Sequence, residues 1–136
     1  MPNLLTSKKS FRLVALCAAL TALPLTAMAA DASSEITAAA THAGFAAKAT
    51  TLDMVHAHMH HALNCLVGPG GNGFDATALN PCKNSGNGAI PDTTDTAKKK
   101  SLEDVAAMLR TQVMGDDLAM GQKAAASIEE QLKALK

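Results

Sequence analysis

The chain has 136 residues, twelve basic and twelve acidic, so its formal charge is zero, and 48% of it is apolar. It has no Trp, no Tyr and three Phe. A chain with neither a basic surface nor aromatic platforms argues against nucleic acid, anionic membrane and stacked sugars as partners.

The first thirty residues read as a cleaved signal peptide. Lys8, Lys9 and Arg12 make a positive start, Leu13 to Leu25 an apolar stretch broken by Pro24, and Ala27-Met28-Ala29 a small-x-small cleavage site. The apolar stretch is shorter than the ~20 residues that a membrane span needs. Leu16 is too large for the residue that precedes a lipidated cysteine, so Cys17 is not read as an anchor. The expectation is a periplasmic or secreted protein, residues 31–136, with no membrane attachment after cleavage. Loss of Lys8, Lys9 and Arg12 leaves nine basic residues against twelve acidic ones, a net charge of −3.

Four helices are predicted along this mature part, near 33–48, 51–67, 101–114 and 116–135. Ser33 or Ser34 can cap the first, with Glu35 in its first turn. Ile36, Ala39, Ala40, Ala43 and Ala47 recur at helical spacing as a small-residue stripe that lets a neighbour approach closely. Thr50 with Asp53 reads as a capping box opening the second helix. Its stripe is Leu52, Val55, Met59, Leu63 and Leu66, stopped by Gly68-Pro69-Gly70. Residues 68–100 are rich in Gly, Pro, Asn, Asp and Thr and read as one long loop, with Phe74 plugging the bundle end and Lys98-Lys99-Lys100 as solvated linker. Ser101 with Asp104 makes another capping box, before Leu102, Val105, Leu109 and Val113. After Gly115, Asp116-Asp117 suit the start of the last helix, whose buried face is Leu118, Ala125, Ile128, Leu132 and Leu135. No strand pattern appears. The expected fold is all-α: a small four-helix, up-and-down bundle with one long crossover between helices two and three.

Cys65 and Cys82 are the two cysteines of the mature part. In an exported chain an even count predicts a disulfide. It would tether the crossover loop to the end of the second helix, and would stabilise the fold by about 3 kcal/mol through loop closure.

Residues 54–65, Met-Val-His-Ala-His-Met-His-His-Ala-Leu-Asn-Cys, carry the chemistry: four of the five histidines, two methionines and a cysteine. Imidazole, thioether and thiolate suit copper, zinc and nickel. On a wheel of about 100° per residue, Met54, His58, His61 and Cys65 fall in one row on the side opposite the apolar stripe. His56 and His60 form an i, i+4 pair at the stripe's edge, able to reach helix one, where His42 or Glu35 could complete a site. The two candidate sites are therefore the outer row Met54/His58/His61 and the inner pair His56/His60. Met59 is in phase with the core and reads as packing. No acid within the cluster could serve as a base, and the zinc-protease His-Glu-x-x-His motif is absent, so the expectation is a binding protein and not an enzyme.

Non-covalent haem is the alternative. A small exported four-helix bundle resembles the b-type cytochrome bundles in architecture, but the C-terminal helix has no His, so that family's haem site is not reproduced. A His/Met pair, His42 or His60 with Met108, Met114 or Met120, would have to replace it. Cys-x-x-Cys-His for covalent haem is absent. Gly68-x-Gly70-x-x-Gly73 follows a helix and not a strand, so it is a turn and not a dinucleotide site. Gly70 to Asp75 resembles one calcium-repeat unit, which needs tandem copies to fold. The sequence thus points to an exported copper or zinc buffer or carrier, served by a metal-delivery or acceptor protein. Haem binding with electron transfer is the first alternative, and a structural or stress-response helical protein the second.

Overall fold

The computed structural model describes residues 31–136, so the signal-peptide reading of residues 1–30 lies outside the described residues. The described chain is helical and without strands: α1 Ala32–Lys48, α2 Leu52–Val67, α3 Ala89–Asp92, α4 Thr96–Gln112 and α5 Leu118–Ala134. No helix among the described residues is long and apolar enough to cross a membrane.

The four long helices start on side-chain caps, three of them one to six residues from the expected cap. Asp31 caps α1 by accepting the Ser34 N–H at 3.1 Å, where Ser33 or Ser34 was expected. Thr51, not Thr50, caps α2 through the Met54 N–H. The largest difference is α4. It begins at Thr96, capped by Asp95 on the Lys98 N–H at 2.7 Å, and so absorbs Lys98-Lys99-Lys100 that reads as linker. Ser101 does not cap at all: its hydroxyl donates to the Ala97 carbonyl one turn back, as serines inside helices do. Asp95 escapes a capping-box search because no acid stands three residues on. Asp117 caps α5 at the Met120 N–H. Five helices therefore stand among the described residues, because the short α3 also forms inside the stretch expected to be irregular.

α1 packs against α2 and α5, and α4 closes against α2 and α5. Small residues set the closeness. Ala39, Ala43 and Ala46 are fully buried along α1. A Cβ placed on Gly44 would meet the Glu129 carboxylate at 2.8 Å, and one on Gly121 would meet Val55 at 3.1 Å. Leu63, Leu66, Leu102, Leu109, Ile128 and Leu132 fill the centre, each contributing on the order of 2 kcal/mol by leaving water.

Two ties order residues 68–88. The Cys65–Cys82 disulfide is formed, with both residues buried. Asn64, fully buried at the end of α2, binds the loop with both ends of its amide. Its Nδ2 donates to the carbonyls of Asp75 (2.9 Å) and Leu79 (3.2 Å), and its Oδ1 accepts the Asp75 N–H at 2.9 Å. Phe74 packs against the core as expected. Gly68 ends α2 at φ +65°, and Gly88 (φ +115°) lies so close to it that a Cβ there would sit 2.6 Å from the Gly68 nitrogen. Only glycine fits both demands at position 88.

Candidate metal centre

The histidines of α2 straddle its buried face. At about 100° per residue, His58 and His61 fall on one flank of the Val55/Met59/Leu66 stripe and His56 and His60 on the other. The first flank meets α1. Met54, His58, His61 and Cys65 are thus not opposite the stripe: the row lies roughly a quarter to a third of a turn from it, at a helix seam.

His42 enters that seam from α1. Its Nδ1 lies 3.4 Å from His58 Nδ1. The His42 and His61 rings stand edge to face with centroids 5.0 Å apart, and His58 and His61 likewise at 5.5 Å. One nitrogen from each of the three rings lies within 4.8 Å of the other two. Phe45, three residues beyond His42, leans on both His42 and His58 with centroids 5.5 and 5.4 Å away, and is itself about half exposed. It carries no ligand atom, which is why a search for donors passes over it.

Burial shapes the electrostatics. Desolvation, then the neighbouring His61 and His58, lowers the His42 pKa from 6.5 to about 4. Desolvation followed by His58 and His60 lowers that of His61. These rings therefore stay neutral at pH 7, which is the metal-binding form. His61 Nδ1 is buried without a hydrogen-bond partner.

The donors fit an ion. Zinc takes imidazole nitrogen at about 2.0–2.1 Å, so tetrahedral neighbours stand about 3.3 Å apart. The His42–His58 separation of 3.4 Å already matches that edge, and the three nitrogens, within 4.8 Å of one another, would have to draw together by up to about 1.5 Å to bring in His61.

The other expected residues lie elsewhere. His56 and His60 do not share His42, which the seam gives to His58 and His61. Glu35 does not reach the histidines either: it is fully buried at the loop, accepting the Gly88 N–H at 2.8 Å. Burial raises its pKa to about 7, partly offset by that hydrogen bond, with Asp92 and Asp31 raising it further. Met54 lies one turn before His58 and is half exposed, at 46%. Cys65 is in the disulfide and cannot act as a thiolate ligand. Of the methionines considered for haem, Met114 and Met120 are exposed around the α4–α5 turn, and Met108 accepts from Gln131 on α5. None of the three lies opposite His42 or His60 within the buried core.

Comparison of the chain with protein-family models, with curated proteins and with solved structures finds no match.

Proposed function

We propose that this chain is an exported transition-metal-binding protein, a copper or zinc buffer or carrier, with His42, His58 and His61 as its ligands. The observation that carries the reading is the convergence of three half-buried imidazoles from two helices on one point. Three imidazole ligands leave room for a fourth, which a water or an acceptor protein could provide. Nitrogen donors alone favour zinc or copper(II); a contribution from Met54 would add affinity for copper(I). The disulfide suits an oxidising compartment, which supports export to the periplasm or beyond. Nothing in the cluster itself offers a carboxylate base or an activated nucleophile, so the reading is binding without turnover.

Titration calorimetry of untagged protein with zinc and with copper(II) tests this. Replacing His42, His58 and His61 singly by Ala should each weaken binding by at least tenfold. A triple variant that binds as many ions, as tightly, as the parent would refute the assignment. A Soret band after hemin titration that the same variants abolish would move the reading to haem.

A further inference from the structure

The other flank of α2 holds a second set of donors, independent of the His42 seam. His60 Nδ1 faces Asp75 Oδ2 at 3.8 Å, too far for a hydrogen bond. That nitrogen is buried without a hydrogen-bond partner, and so is Nε2 of His56, one turn earlier on the same flank. One orphaned nitrogen, on His60, thus faces a carboxylate, with a second on His56 one turn back along the helix, and a shared ligand would satisfy both.

Asp75 is fixed for such a role. Its Oδ1 accepts the Thr77 N–H at 2.8 Å, the Thr77 hydroxyl at 2.7 Å and the Ala78 N–H at 3.3 Å. These bonds occupy one oxygen and leave Oδ2 toward His60. The Asp75 backbone is clamped on both sides by Asn64, itself one turn after His60 on α2. The loop therefore delivers one carboxylate oxygen to the histidine flank with little freedom, and a ligand shell set in advance binds with a smaller ordering cost. With metal–ligand distances of about 2.0–2.2 Å, a 3.8 Å nitrogen–oxygen span corresponds to an angle near 130° at the ion, and closing it by about 0.4 Å gives a tetrahedral one. His56 and His60 are spaced i, i+4, so their Cβ atoms lie ~6 Å apart; the His56, His60 and Asp75 donors do not all lie within 4.8 Å of one another as those of the His42 seam do, so the His56 ring has to turn for both imidazoles to meet one ion.

We propose that His60, Asp75 and His56 form a second metal site, for a divalent ion of zinc type, on the flank of α2 away from His42. Its two-imidazole, one-carboxylate donor set is harder than the three-imidazole set across the helix. It selects divalent zinc-like ions over copper(I), and the disulfide-tethered loop becomes part of a binding site.

Native mass spectrometry of the folded chain with added zinc at neutral pH tests the proposal. The parent should bind two ions. The H42A/H61A variant should keep one, and adding D75N or H60Q to it should remove that one. Imidazole nitrogen NMR of H42A/H61A should show zinc-induced shifts at His60 and His56. Retention of the ion in both H42A/H61A/D75N and H42A/H61A/H60Q would overturn the second site. So would a parent that binds one ion, lost in H42A/H61A and kept in D75N, and that result would leave the His42 site standing. The converse, one ion kept in H42A/H61A and lost in D75N, would support this site and remove the other.

Discussion

Removing the Cys65–Cys82 bond separates the stability of the loop from the integrity of the His42 seam. The two residues are 17 apart in sequence. Closing such a loop removes about 10 cal/mol/K of entropy from the unfolded chain, or about 3 kcal/mol at 25 °C. Both sulfurs are buried, so a Cys65→Ala/Cys82→Ala variant also loses some packing, on the order of 1 kcal/mol. With a urea dependence of about 1.5 kcal/mol/M, the unfolding midpoint should fall by roughly 2–3 M. The melting temperature should drop by more than about 10 °C. The seam should survive, because α1 and α2 pack directly on each other and the ring contacts of His42, His58 and His61 are with one another and with Phe45. Zinc affinity of the folded H56A/H60A form, in which only the seam can bind, should therefore change by less than about threefold, ~0.7 kcal/mol. Urea unfolding followed by circular dichroism, with zinc calorimetry on the same samples, is the assay. A midpoint shift under about 0.5 M would refute the loop-closure argument. A large loss of zinc affinity with helicity intact would refute the independence of the seam.

Three further outcomes are expected. His42 is neutral down to pH about 4 in the folded chain, whereas an unfolded imidazole takes its proton near 6.5. The unfolded chain thus binds more protons in that window, and metal-free stability should decline as pH falls from 6.5 toward 4; His42→Ala should flatten this slope in acid-urea titrations, and an unchanged slope would count against it. Glu35 acts with the opposite sign: folded, it keeps its proton to about pH 7, while unfolded it ionises near 4.5. Stability should fall as pH rises through that window. Glu35→Gln keeps an acceptor for the Gly88 N–H and should be more stable than the parent at pH 8, measured by thermal unfolding. Asn64→Ala leaves the Asp75 N–H and two loop carbonyls without their partner and should cost about 2–3 kcal/mol; hydrogen exchange should then show residues 72–80 opening ahead of the helices.

Much of the fold was legible in local pattern. The stripes of α2 and α5 show at helical period, and Ala39, Ala40 and Ala43 announce a close helix–helix approach, because a buried face must repeat every three to four residues. The disulfide followed from the cysteine count and an expected oxidising compartment. The histidine cluster was legible as composition, and its division into two pairs followed from the wheel.

Partner choice lies beyond the wheel. Spacing along α2 ranks His56 with His60 and His58 with His61, yet it cannot say which flank α1 covers. That is decided by the packing of α1 on α2, which gives His42 to His58 and His61. Nor does spacing place Asp75, fourteen residues after His61, beside His60: the Asn64 amide and the disulfide do that through contacts across the loop. The early start of α4 has the same character. Lysines 98–100 look like linker because their charge is all that sequence shows, but the Asp95 cap fixes the first turn and α4 then lays Leu102 and Val105 into the core. Local pattern is enough for the helical class, most of the buried stripes and the candidate donor atoms. The tertiary structure decided which donors share a point in space, since a helix fixes only its own residues and a site between elements depends on how they pack.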